Sequence, residues 1–141
     1  MKAKTRRSRK QSLPFTRNAS TMTESQFFSM IRSTLRSKFR YWKPMIIALN
    51  ASSRPNESSN KRLKKEFQCK ICQNWFKRAD VQIDHIIPCG SLSSYEDVVP
   101  FIQNLTNEDP LSYQVLCKPC HQTKTNEERQ TKHAKQASSI I

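Results

Sequence analysis

Two Cys-x-x-Cys pairs constrain this chain more than any other feature of its sequence. Cys69 and Cys72 form the first pair and Cys117 and Cys120 the second, with 44 residues between the pairs. A Cys-x-x-Cys turn supplies two thiolates from one rigid loop, and structural zinc takes four ligands in a tetrahedron. Neither a redox motif nor chance explains two copies, so we predict that all four cysteines bind one structural Zn²⁺. Cys89 is expected to be a small buried hydrophobic residue rather than a fifth ligand.

The composition indicates that the fold needs such a cross-link. Only 35% of the 141 residues are hydrophobic and one is glycine, so a core of apolar side chains alone is marginal. Metal binding would add its free energy to folding. No apolar run reaches the roughly 18–20 residues of a membrane span, and the basic first residues lack the apolar stretch of a secretory signal. We therefore expect a cytoplasmic protein with reduced cysteines and no membrane partner; a transit peptide is the alternative for the first residues.

The charge is large and unevenly distributed. The formal net charge is +14; residues 1–65 hold 17 Lys and Arg against two acids, whereas residues 66–141 hold eight against nine. A basic half of this kind favours a polyanionic partner, because each cation placed on a phosphate releases condensed counterions. Nucleic acid is favoured over anionic lipid.

The pattern of the chain divides it into five segments. We predict a basic, disordered arm over residues 1–22, a helical segment over 23–49, a polar linker over 50–65, a domain over 66–132 and a polar tail over 133–141. Within the domain, strands are expected in residues 67–76, 81–83 and 113–116, a short helix over 95–105 and a final helix from Pro119 to about residue 132. Residues 45–49 are expected to form a short apolar turn.

The helical segment is predicted to be amphipathic. A capping box over Thr21–Glu24 would begin it. Apolar residues then recur at helical spacing: Phe28, Ile31, Leu35 and Phe39. Arg32, Arg36 and Arg40 line the adjacent face, which is either an ordinary solvated surface or a surface that binds DNA phosphates.

Three ionisable residues are brought together if the four cysteines share one ion. Asp84 and His85 end the strand that follows the first cysteine pair, and His121 directly follows Cys120, 36 positions after His85. The zinc site would therefore place a carboxylate and two imidazoles in one neighbourhood. Lys124, one helical turn after His121, either contacts phosphate or is a solvated lysine.

The runs CKIC, VQIDHIIP and VLCKPCHQTKT resemble the zinc-knuckle branch of the HNH endonucleases. The resemblance to small HNH proteins of tailed bacteriophages extends over residues 24–130, through FFSMIRSTLR, YWKP, GSLSSYED and KTNEER. It implies an α+β chain with a ββα-metal core held by a four-cysteine zinc knuckle. It further implies a metal-dependent endonuclease of the homing or genome-processing type, which nicks double-stranded DNA or cuts both of its strands in the host cytoplasm and leaves 5′-phosphate and 3′-hydroxyl ends.

The same resemblance assigns the site residues. His85 corresponds to the general base, and Asp84 and His121 to the ligands of a catalytic Mg²⁺, Mn²⁺ or other divalent ion. The chain departs from the family at the middle asparagine of the motif, where Ser112 stands; Asn104 or Asn107 could substitute, or Ser112 could serve more weakly. This departure supports the rival hypothesis of a zinc-containing DNA-binding module without catalysis.

Overall fold

The computed structural model describes residues 14–138, which form a mixed α+β structure. The strands and helices within this range are β1 (Phe15–Arg17), β2 (Met22–Thr23), α1 (Glu24–Lys38), α2 (Lys43–Ala51), β3 (Ser53–Pro55), β4 (Lys65–Gln68), β5 (Trp75–Phe76), β6 (Val81–His85), α3 (Val98–Leu105), β7 (Tyr113–Cys117) and α4 (Lys118–Ser138). Residues 1–13 of the predicted arm and 139–141 of the predicted tail lie outside the described residues.

Strands β6 and β7 and helix α4 carry the site. The strands pair antiparallel, with Val81 opposite Cys117 and His85 opposite Tyr113, and α4 follows β7 without a break and packs on both strands. Residues 86–112 connect the strands and include α3. The predicted strands over 81–83 and 113–116, the helix over 95–105 and the helix from residue 119 are all found, with small shifts at their ends.

Two clusters of buried side chains join the N-terminal helices to this unit. The stripe of α1 packs against α3 and the loop before it, through Phe28, Phe101 and Leu105. Helix α2 contributes Leu49 to a second cluster with side chains of β4, β6 and β7. The predicted helical segment over 23–49 therefore shares its core with the predicted domain over 66–132. Cys89 is 4% exposed in the first cluster, which confirms its predicted burial.

The prediction of a disordered arm is wrong for residues 15–22. These residues form the hairpin β1–β2, and its Arg17 donates to Glu24 Oε1 at 2.7 Å and to the Tyr95 hydroxyl at 2.8 Å. The predicted capping box is also displaced by two residues. Thr23 caps α1 and exchanges hydrogen bonds with Gln26, because the hairpin delays the start of the helix.

Three further segments have more regular structure than predicted. Residues 45–49 lie inside α2, where Pro44 occupies the favoured first turn and Met45 and Leu49 share the buried face. Part of the predicted linker pairs with β4 as strand β3. Helix α4 continues to Ser138, because no glycine or proline interrupts residues 121–138. None of the helices in the described range is long and apolar enough to cross a membrane.

Candidate metal centre and cationic groove

The four cysteines of the two Cys-x-x-Cys pairs converge. Their sulfur atoms all lie within 4.8 Å of one another, and the sulfurs of Cys72 and Cys117 are 3.9 Å apart. Four sulfurs bound to zinc at about 2.3 Å in a tetrahedron are about 3.8 Å apart. The cluster can therefore hold a metal ion such as zinc, as the spacing predicted.

The pKa values of two thiols in the cluster are shifted in opposite directions. Burial acts to raise the pKa of Cys69, but hydrogen bonds from the backbone N–H groups of Cys117, Cys72 and Ile71 lower it to about 6. The neighbouring Cys117 thiol, burial and Cys69 raise the pKa of Cys120 to about 12. One sulfur is thus prepared to ionise while another resists, because adjacent thiolates repel each other. A bound cation removes that repulsion.

Backbone contacts fix the position of the first cysteine turn. Lys70 N donates to Val115 O at 2.8 Å, and Cys69 N donates to Asn74 O at 3.0 Å. The turn therefore lies against the middle of β7, directly before Cys117. This contact connects the first cysteine pair to β7, which carries Cys117 and leads directly into α4.

The carboxylate of Asp84, on β6, contacts side chains of both β7 and α4. Its Oδ1 is 3.5 Å from Nε2 of His121, while its Oδ2 accepts from Gln114 Nε2 at 2.9 Å and lies 3.0 Å from Lys124 Nζ. The carboxylate side chain is 12% exposed. The prediction from the sequence that Asp84 and His121 lie close together is confirmed by this distance.

His85 is oriented by the connection between the strands. Its Nε2 lies 3.2 Å from the carbonyl oxygen of Leu105, and its ring packs edge-on against Tyr113 with centroids 4.9 Å apart. A carbonyl can only accept, so Nε2 carries the hydrogen and Nδ1 carries the lone pair. Burial lowers the pKa of His85, and the positive charges of Arg36 and Lys124 lower it further, against the opposing Leu105 carbonyl and Asp84. The neutral, proton-accepting form is favoured.

Lys124 forms hydrogen bonds and ion pairs within the site. Besides Asp84, its ammonium contacts the backbone carbonyl of His85 at 3.3 Å and forms an ion pair with Glu128 one turn later. Burial opposes the charge, but the hydrogen bonds to Glu128 and Asp84 raise the pKa of Lys124. Lys124 is therefore not the freely solvated lysine considered from the sequence, and its predicted contact with phosphate stays a prediction.

The backbone supplies the bracing expected from an asparagine. The Leu105 carbonyl, rather than the side chain of Ser112, Asn104 or Asn107, holds the His85 ring. The carbonyl of Ser112 accepts from Ile86 N at 3.0 Å and fixes the chain after β6. Asn104 donates to Cys89 O at 3.5 Å and so braces the same connection from α3.

Asp84, His85 and His121 line a groove of about 1050 Å³ between α1 and α4. Six basic side chains also line this cationic groove: Arg32, Arg36, Lys124, Arg129, Lys132 and Lys135. Arg40 lies elsewhere, since α1 ends at Lys38 and the Arg40 guanidinium lies over the Tyr41 ring, 4.7 Å from its centroid. The structure thus brings Arg32, Arg36 and Lys124 together with the ionisable cluster, and leaves Arg40 out.

Sequence analysis missed several residues of this site. Arg129, Lys132 and Lys135 recur at three-residue intervals on α4 after Lys124. Helical periodicity could have identified Arg129 and Lys132 within the predicted helix, whereas Lys135 lies beyond its predicted end. No sequence pattern pointed to Gln114, because its role depends on the register of β6 and β7, which places it opposite Asp84.

Compared with known proteins, the chain matches no protein-family model, no curated protein and no solved structure.

Proposed function

We propose that this protein is a metal-dependent endonuclease of the HNH type that hydrolyses DNA phosphodiester bonds. One observation carries the proposal: two histidines and a half-buried carboxylate lie together in a groove that six basic side chains line. Phosphodiester hydrolysis needs a proton acceptor with a pKa near neutrality and positive charge on the phosphate oxygens. The resemblance of the motif runs to HNH endonucleases supports the same conclusion.

In this proposal His85 activates the attacking water. The Leu105 carbonyl occupies its Nε2 hydrogen at 3.2 Å, so Nδ1 is the atom that accepts the proton from water. Burial and the nearby cations keep the imidazole neutral before the reaction. Asp84 is the preceding residue on the extended strand. Because successive side chains of a strand diverge, Asp84 is available to bind the metal ion while His85 faces the attacking water.

Asp84 and His121 would hold the divalent ion. Two ligands at right angles on an ion with bonds of about 2.1 Å are about 3 Å apart, and Asp84 Oδ1 and His121 Nε2 are 3.5 Å apart. The remaining coordination positions suit water and phosphate oxygens, as for Mg²⁺, Mn²⁺ or another first-row ion. When bound, the ion supplies positive charge to the phosphate oxygens that gain negative charge during hydrolysis.

Conversion of supercoiled plasmid to open-circular or linear DNA tests the proposal. Zinc-loaded protein is incubated with plasmid and Mg²⁺, Mn²⁺, Co²⁺ or Ni²⁺, with no added metal and with EDTA as controls. We expect nicking that requires a divalent ion.

The rival function, a DNA-binding module without catalysis, has one observation in its favour. The Lys124 ammonium already neutralises Asp84 Oδ2 at 3.0 Å and would compete with a metal ion. Plasmid binding in a gel-shift assay, without nicking in any of the four metals, would establish this rival and reject the nuclease.

The cationic groove predicts a specific salt dependence. Replacing Arg32 or Lys132 with alanine should weaken duplex binding and reduce the slope of log K against log salt by about 0.9 per residue, because one fewer counterion is released. Fluorescence anisotropy of labelled duplex across a salt series measures the slope. Arg40→Ala is the matched control, since Arg40 lies outside the groove. Equal slopes for all three variants would show that the groove does not contact the DNA phosphates.

Gln114 is predicted to position Asp84 for metal. Its donation to Oδ2 leaves Oδ1 for the ion, so Gln114→Met should weaken Mn²⁺ binding about tenfold with little loss of stability. Titration calorimetry with Mn²⁺ and thermal unfolding measure the two effects. Gln82→Met, on the neighbouring strand and exposed, is the control. Unchanged Mn²⁺ affinity in Gln114→Met would show that the hydrogen bond has no part in metal binding.

A further inference from the structure

A second cavity, of about 190 Å³, opens beside the cationic groove, and His85 lines both. Its remaining walls come from the two ends of the connection between β6 and β7: Ile86, Ile87, Asn104, Asn107, Leu111 and Ser112. The assigned roles of the site residues leave this cavity without a function.

We propose that this cavity binds one unstacked nucleobase of the DNA, belonging to a nucleotide next to the phosphate that His85 addresses. The inference rests on the proposed nuclease function, because the DNA in the cationic groove supplies the base. A base is separated from its phosphate only by the sugar. A phosphate at His85 therefore brings the neighbouring base to the wall that the two cavities share.

The rim of the cavity has the apolar surface that a base needs. Ile86, Ile87 and Leu111 are 45%, 74% and 83% exposed, and all three line the same small space. Single exposed apolar residues are ordinary, whereas three around one small cavity offer a surface that a flat ring can cover. The volume corresponds to about six water molecules at about 30 Å³ each, which suits one ring system and excludes a helix or a duplex.

The polar residues of the cavity can recognise the edge of a base. Asn107 accepts from Asp109 N through its Oδ1 at 2.9 Å, which directs its amide Nδ2 to donate elsewhere. Asn104 donates its Nδ2 to Cys89 O, which leaves Oδ1 as an acceptor. One donor and one acceptor on neighbouring amides match the mixed hydrogen-bonding edge of a nucleobase.

This site has a consequence for substrate choice. Extruding a base from a duplex requires energy, and mismatched or unpaired bases require least. We expect the protein to nick a duplex with one unpaired nucleotide at the cleavage site about tenfold faster than the paired duplex. Among paired sites, flexible pyrimidine–purine steps should be preferred.

The fluorescence of 2-aminopurine tests the proposal, because stacking quenches this base analogue. The probe is placed in turn at each position around the mapped nick of a duplex, and the full-length wild-type protein is added without divalent ion, so that the DNA is bound but not cut. Anisotropy of an end label reports binding independently. We expect a severalfold fluorescence increase at one position adjacent to the nick and little change at the others.

Substitutions in the rim should separate base binding from backbone binding. Leu111→Ser and Ile87→Ser should abolish the fluorescence increase and the tenfold preference for the unpaired substrate, while anisotropy and thermal stability remain close to wild type because both side chains are exposed. Ile47→Ser is the matched control, since Ile47 is 54% exposed on α2 and does not line the cavity.

The outcomes distinguish a failure of the base-site proposal from a failure of the nuclease proposal. DNA binding and nicking without a fluorescence increase at any position would overturn the base site and leave the proposed function intact. A self-associating protein that Leu111→Ser converts to monomers, with no fluorescence change, would assign the rim to a second copy of the chain and also overturn the base site. Absence of nicking on any duplex rejects the nuclease and, with it, the base site that rests on it.

Discussion

Substitution of His85 by alanine is expected to lower the rate of plasmid nicking about 100- to 10,000-fold, the usual contribution of a positioned general base. The reason is that the His85 imidazole is held in one tautomer and in its neutral form. Leu105 holds its Nε2 hydrogen and burial lowers its pKa, so that Nδ1 is a proton acceptor at neutral pH. Single-turnover nicking with protein in excess measures the chemical step without interference from product release.

His133→Ala is the control for this experiment. His133 is exposed on α4, and its loss should leave the rate unchanged. Zinc content and DNA affinity of His85→Ala should match the wild type, because His85 is not a cysteine-site ligand, and thermal unfolding should stay cooperative although the contacts of the ring with Tyr113 and Leu105 are lost. Undiminished nicking by His85→Ala would exclude His85 as the base and require another proton acceptor in the groove.

Loss of one cysteine of the metal centre is expected to unfold the β6–β7–α4 unit. Structural zinc contributes about 10–16 kcal/mol in small zinc domains, which equals or exceeds the net stability of ordinary domains, about 5–15 kcal/mol. Cys117 is 3% exposed, joins β7 to α4 and forms part of the sulfur cluster. Cys117→Ser should therefore lose both the metal and the cooperative thermal transition.

Metal analysis and calorimetry of purified protein measure these two losses. The wild type should contain about one zinc ion per chain, and Cys89→Ala, which changes a buried cysteine outside the cluster, should keep it. Replacement of zinc by Co²⁺ should give the absorption bands of a tetrahedral thiolate site. A metal-free wild-type protein that unfolds cooperatively at the same temperature would contradict a structural role for the cysteines.

The sequence predicted local features well where the responsible residues are close along the chain. The alternation that ends in Asp84 and His85 indicated a strand, and the structure has β6 there. The stripe of α1 was predicted from spacing alone and packs as expected. Errors occurred at the ends of segments, where a capping residue or a hairpin partner determines the boundary, as at Thr23 and Arg17.

What the sequence determined by itself was the set of chemical groups and one long-range restraint. The two cysteine pairs required segments 44 residues apart to meet, and from this the proximity of Asp84 and His121 followed. Tertiary structure alone decided which atoms of those groups are available. The strand register placed Gln114 against Asp84, and the end of α3 presented the Leu105 carbonyl to His85. These contacts come from backbone groups and pairings that no residue type specifies, because every residue carries the same carbonyl and only packing determines where it points.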